Sequence, residues 1–298
     1  MKLINIAKNL IGMSILFFCV SCADLSENLT GQPTTDKFFH NLTDFESFIS
    51  GAYTPLVRLY GSDVPYVAGS GAEDVSTPVV RWKGFEQINI NSVGNPEEIT
   101  DELWNNYYSS ISQCNTMIQV ISQNTDVPKE KLLSIDGEAR FLRAFNYFQL
   151  VRWFGEVPLL TEENQTNAAQ EPQSTIAQIY DQIVDDLKVA ETTLPDTHDT
   201  PKRPSRWAAK ALLAKVYLAM AGFPLNETSN YALARDKAKE VIDKKMYRLE
   251  NNFFDLWLWV NRITNSEFIF AIYASSDNGT GSYVNRAVRP WDHGENGW

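Results

Sequence analysis

Cysteine and histidine are scarce, with three of each in 298 residues. Cysteines at 19, 22 and 114 cannot build a disulfide framework, and His40, His198 and His293 stand too far apart to give a metal-ligand spacing. Basic residues are in deficit, 26 Lys and Arg against 37 Asp and Glu, for a net charge of −11. Affinity for phosphate backbones comes mainly from basic side chains, so no nucleic-acid partner is expected. Lys202, Arg203 and Arg206, the densest basic group, most simply form the solvated edge of a helix. Catalytic signatures are missing as well: G-x-S-x-G, H-E-x-x-H, G-x-x-x-x-G-K and G-x-G-x-x-G do not occur. Adjacent acids at Glu97-Glu98, Glu162-Glu163 and Asp185-Asp186 diverge if they lie on helices and read as solvated surface. No catalysis, cofactor or metal is therefore expected.

Long apolar runs are also absent. The longest near the start, Leu10 to Val20, follows Lys2 and Lys8 and is too short to span a bilayer, but it suits the hydrophobic region of a secretion signal. It leads into Val20-Ser21-Cys22, which resembles the lipobox of bacterial lipoproteins. That resemblance implies cleavage before Cys22 and acylation of its thiol, so residues 1–21 would be a signal peptide. Acyl chains contribute about 0.8 kcal/mol per buried methylene and hold a domain on a membrane without a spanning helix. Asp24 and Glu27 follow closely, similar to the surface-export signal of Bacteroidota lipoproteins. Residues 22–37 are polar, carry Gly and Pro, and read as a tether.

Helical periodicity fills most of the remainder, residues 38–298, so the fold class is mainly all-α. Phe45, Phe48, Ile49, Ala52, Tyr53, Leu56 and Val57 share one helical face, with Pro55 bending its end. Residues 61–97 are broken by Gly and Pro and read as a long irregular segment, the kind that is usually functional or mobile. Trp104, Tyr107, Tyr108, Ile111, Cys114, Ile118 and Ile121 make a second stripe, with Cys114 a small core residue. Further helices are expected from about Lys129 to Phe154, Thr175 to Leu194, after an N-cap at Ser205, and from Tyr231 to Lys245. The helix after Ser205 is apolar nearly all round and should be enclosed. Glu267 to Tyr273 is β-prone and reads as a strand or buried extended segment.

Ala139, Leu142, Ala144 and Tyr147 match Ala209, Leu212, Ala214 and Tyr217 at a constant offset of 209 − 139 = 70. That is about two tetratricopeptide periods of 34 residues, and it points to a scaffold of helical hairpins.

In this order the elements resemble the SusD/RagB family of outer-membrane nutrient-binding lipoproteins. The likeness is carried by Cys22, by Trp104, Tyr107, Ile111 and Cys114-Asn115, and above all by GEARFLRAFNYFQLVRWFGEVPL from Gly137 to Leu160. It continues through Tyr180 to Leu194, Trp207-Ala208-Ala209, Leu212-Leu213-Ala214, Tyr231-Ala232, Tyr247-Arg248-Leu249, Asn252-Phe253, Leu256 and Asn265 to Phe270. The resemblance implies a surface-exposed lipoprotein of the outer membrane that covers a SusC-like TonB-dependent transporter and captures oligosaccharides. Family members are usually far longer, so the chain is expected to be the N-terminal part of a larger protein.

Sugar rings offer apolar C–H faces edged with hydroxyls, so aromatic side chains on loops are the first ligand candidates. Trp82, beside Arg81, matches a loop that carries a stacking tryptophan in the family; Tyr283 and the closing Asn296-Gly297-Trp298 resemble further sugar-site positions. Partial burial against the helices is the alternative for each, and for Tyr283 and Trp291 it is the simpler reading. Trp104, Trp153, Trp207, Trp257 and Trp259 sit in helical or apolar patterns and are expected in the core. The competing function is a tetratricopeptide-like protein- or peptide-binding scaffold.

Overall fold

The computed structural model describes residues 38–61, 96–198, 202–258 and 265–272. Cys22, Arg81, Trp82, Trp259, Tyr283, Trp291, His293 and Trp298, named above, lie outside the described residues, as do the tether and most of the irregular segment 61–97.

Seven α-helices account for most of what is described: α1 Leu42–Gly51, α2 Thr54–Gly61, α3 Pro96–Gln123, α4 Lys129–Phe154, α5 Ile176–Thr193, α6 Arg206–Ala221 and α7 Asn230–Asp243. The single helix expected over Phe45 to Val57 is two helices. Asn41 and Asp44 cap α1 reciprocally, Asn41 Oδ1 accepting from the Asp44 N–H and Asp44 Oδ2 from the Asn41 N–H. The helical pattern then breaks at Ala52 and Tyr53, and α2 begins with Pro55 in its first turn, where a missing N–H costs nothing. Ser205 caps α6 as anticipated, its Oγ accepting from the Ala208 N–H. Gly155, at φ +72°, takes the conformation that ends α4.

Successive long helices pack on one another, α3 on α4, α4 on α5, α5 on α6 and α6 on α7, while α1 and α2 lie against α3. This is the expected scaffold of helical hairpins. Phe45 and Ile49 of α1, Leu56 and Leu59 of α2, and Leu103 and Ile111 of α3 are fully removed from water. Each such side chain contributes about 1.5–3 kcal/mol. Cys114 is a free thiol in this layer; burial pushes it up to about 12, so it stays protonated and inert.

The most enclosed helix is α4, not α6. It is covered by α1, α3 and α5 and buries residues around its whole circumference. By contrast α6 packs on α5 and α7, touches α4 little, and leaves Leu218 56% exposed. Trp104, Trp153 and Trp207 are half-buried instead of core. Trp104 lies against Tyr108 and Phe154, and Trp207 beneath Lys210 and Lys244, because an indole of this size covers the seam between elements more easily than it fits inside one.

Among the described residues the sheet is one antiparallel pair, β1 Val157–Pro158 with β2 Gln173–Ser174. It closes the base of a strap, residues 159–172, that includes a 3-10 turn at Gln165–Gln170. Of the two readings of Glu267 to Tyr273, a strand or a buried extended segment, the strand does not form over the described residues 265–272. Residues 265–272 are a half-buried irregular segment whose Phe270 ring packs on Phe141 at 5.0 Å. Side chains take up the polar groups there: the Ser266 N–H donates to Glu250 Oε1 and the Glu250 N–H to Glu267 Oε2.

At Gly137, α4 comes close against the C-terminal end of α5. A Cβ there would stand 2.3 Å from Thr193 Oγ1 and 3.2 Å from Leu194 Cγ. Gly137→Ala is therefore expected to destabilise the protein by about 1–3 kcal/mol through overpacking, despite alanine's intrinsic helical advantage of about 1 kcal/mol. Urea unfolding followed by circular dichroism checks this; a stabilised variant would contradict the close approach.

Candidate functional site

The helical face of α4 that carries Ala139, Leu142 and Tyr147 also carries Arg143, whose side chain is 1% exposed. A guanidinium in such a place must be paired on all sides. Its Nε donates to Asp186 Oδ2 and its Nη2 to Asp186 Oδ1, both at 2.7 Å, a two-pronged bond to α5. Its Nη1 donates to Asn115 Oδ1 of α3 at 2.8 Å and to Glu162 Oε2 in the strap. Arg140, one turn earlier, adds a bond to Asp186 Oδ1 at 3.3 Å and another to Asp136. Burial alone would weaken the charge on Arg143; Asp186 and then Glu162 outweigh it and hold the group above its ordinary value.

The expectation that Asp185-Asp186 and Glu162-Glu163 are solvated pairs thus fails for one member of each. Asp186 is fully buried and Glu162 partly so, while Asp185 and Glu163 face water. Helical geometry sends neighbours to different faces, and here one face is the interior. Glu162 and Glu163 both border one groove, but the Glu162 carboxylate is taken up by Arg143. Arg203 also departs from a solvated edge: its Nε donates to Glu138 Oε1 at 2.9 Å, and Glu138 is 1% exposed and accepts from the Tyr53 hydroxyl as well. Arg206 pairs with Asp196 at 3.0 Å. Among the described residues no group of His, Cys, Asp and Glu is arranged to hold a metal ion.

These bonds fix the strap. Tyr147 OH donates to Leu160 O at 2.8 Å and accepts from the Leu160 N–H at 2.7 Å, and Asn115 Nδ2 donates to the same carbonyl. Between the strap, the end of α3 and the start of α4 lies a groove of about 500 Å³, floored by Ile118 and Ile121 and rimmed by Lys129, Arg140 and Glu163. It can hydrogen-bond a hydroxylated chain over an apolar floor, but among its described lining residues there is no aromatic ring for a sugar to stack on. The four sequence-named ligand residues, Arg81, Trp82, Tyr283 and Trp298, lie outside the described residues, so their mutual placement stays an expectation. What sequence reading missed is the Arg143 cluster. Its signal was a lone arginine between Leu142 and Ala144 in an apolar stripe.

The model of a family described as starch-binding and associating with the outer membrane matches residues 32–218, well over half of the chain. The chain belongs to the SusD-like family. SusD-like protein P2 of Formosa agariphila is 27% identical over 262 residues, covering 82% of this chain and 48% of that protein. A solved structure with a xylogluco-oligosaccharide superposes with a TM-score of 0.67 at 26% identity, over 78% of this chain and 46% of the other. A laminarin-binding SusD-like protein gives 0.66 at 26% identity, over 78% and 51%. The chain thus spans about half the length of the SusD-like proteins it matches.

Glu162 ties the strap to the helices only when ionised. Burial opposes its charge, but Arg143 more than offsets this and holds its carboxyl below the ordinary 4.5. Its contribution is therefore present at neutral pH and is lost as pH falls from about 4.5 downward through the depressed folded value. Glu162→Gln should be less stable than the native protein at pH 7, with the difference closing below about pH 4.5. Urea midpoints measured from pH 7 to 3 check the sign; a gap that stays constant would remove Glu162 from the latch.

Proposed function

We propose that this protein captures nutrient oligosaccharides at the cell surface without altering them and passes them to a SusC-like TonB-dependent outer-membrane transporter. The observation that carries the reading is the shared helical scaffold with two solved relatives, one holding a xylogluco-oligosaccharide and one binding laminarin. A stack of helices pinned by buried ion pairs is suited to such a role, since it offers a stiff platform against a transporter while loops between helices hold ligand. Trp82 would lie under a sugar ring, Arg81 would bond its hydroxyls, and Tyr283 and Trp298 would complete the site. Acylation of Cys22 would tether the platform to the outer membrane. No helix among the described residues is long and apolar enough to cross a membrane.

Isothermal titration of the full-length protein against laminarin, xyloglucan and starch oligosaccharides should give heat with at least one, and Trp82→Ala should abolish it. Tight binding of peptides with no response to any saccharide would transfer the reading to a peptide scaffold, and release of reducing ends by the purified protein would make it an enzyme. Separately, Cys22→Ser in cells lacking the transporter should move the protein from the membrane pellet to the soluble fraction; retention after a high-salt wash would refute the lipid tether.

A further inference from the structure

The groove beside the strap is lined by the end of α3 from Ile118 to Gln123, by the first half of α4 from Lys129 to Arg140, and by Glu162 and Glu163. Its volume of about 500 Å³ is within the roughly 300–1,000 Å³ of small-ligand sites. Five lining residues are charged: Lys129, Asp136, Arg140, Glu162 and Glu163. Three of them are already engaged. Asp136 accepts from Arg140 at 3.0 Å, Arg140 also reaches Asp186, and Glu162 holds Arg143. The exposed side chains of Lys129 and Glu163 have no ion pair or hydrogen bond among the described residues. The groove therefore offers a ligand one cation, from α4, and one anion, from the strap.

Gln119 and Gln123 stand one turn apart on α3, so their side chains share a helical face. Neither amide has a partner among the described residues. A primary amide holds a donor and an acceptor side by side, as a peptide group does, and can meet both at once. The apolar part of the lining is purely aliphatic: Ile118 and Ile121, nearly sealed from water, and Leu133. Among the described residues before Leu218, Leu133 is the one large apolar side chain left exposed, at 48%. A sugar would find no ring to stack on here and would leave both free charges without a counterpart.

One cation, one anion, two free amides and an aliphatic floor are together the complement of a short peptide with free termini. We propose that this groove binds such a peptide, its carboxylate at Lys129, its ammonium at Glu163, its amide groups on Gln119 and Gln123, and an aliphatic side chain over Leu133. The site uses no residue of the Trp82 segment and does not rest on the glycan reading.

The test is a methyl NMR titration of the full chain, with labelled Ile and Leu, against the tripeptide Ala-Leu-Ala, its N-acetylated form, its C-terminal amide, and maltotriose. Saturable shifts of the Ile118, Ile121 and Leu133 methyls with Ala-Leu-Ala are expected, and each capped form should bind about fivefold more weakly, the scale of a solvent-accessible ion pair. Lys129→Gln should remove the difference between the free acid and the amide, and Glu163→Gln the difference between the free and acetylated amine. Both positions are exposed and unpaired, so folding is not at stake in either variant. No saturable shift with the tripeptide, equal binding of the capped forms to the native protein, or maltotriose moving the same methyls at equal or lower concentration overturns the site. Peptide shifts that persist in Trp82→Ala support a separate site, and shifts lost there refute it. A protein that shows the peptide shifts but gives no heat with any glycan would refute the glycan reading and leave this site standing.

Discussion

The bond between Arg143 and Asp186 is the interaction on which the helical stack turns. It joins α4, the most enclosed helix, to α5, and through Asn115 and Glu162 the same guanidinium reaches α3 and the strap. Two charges taken out of water offset their desolvation only when their geometry is good and their remaining donors are met, and here every arm of Arg143 has a partner. An apolar pair of the same volume could have stabilised the stack as well. What the charges add is directionality: a two-pronged bond is satisfied in one register of α4 on α5, whereas an oily seam tolerates sliding by a turn.

Glu138 repeats the arrangement one turn nearer the N-terminus of α4. It gathers the Tyr53 hydroxyl between α1 and α2 and Arg203 ahead of α6, so that connections distant in sequence meet on one buried carboxylate. Burial, followed by the negative charge of Glu138, keeps the Tyr53 phenol protonated far above its ordinary range, which preserves it as a donor at any pH the cell meets. Between them, Arg143 and Glu138 tie every side of α4 except the faces that Leu, Phe and Ala fill. A strap and a connecting loop, usually the softer parts of a helical array, are thereby made continuous with its core.

Such stiffness would suit the platform proposed above, which would meet a partner on one side and a ligand on another. Ordering a loop during binding costs conformational freedom, and a loop fastened beforehand has already met that cost. The strap groove is bordered by a segment fastened in this way.

Apolar periodicity in the chain was enough to place α3, α4, α5, α6 and α7 and to name Ser205 as a cap, because helix formation and capping depend on residues within a few positions of one another. The block from Gly137 to Leu160 carried the family likeness for the same local reason, as its small and aromatic residues set how close neighbouring helices come. Local pattern did not disclose that Asp186 and Glu138 are interior while Asp185 is not, nor that α4 is better covered than α6. A carboxylate is driven out of or into the interior by whether a guanidinium awaits it, and the partner of Asp186 is 43 residues away and that of Glu138 is 65. Only the packing of helices on helices brings those groups together, so the chain alone settled where α3 to α7 run, and the tertiary structure settled which of their charges could leave water.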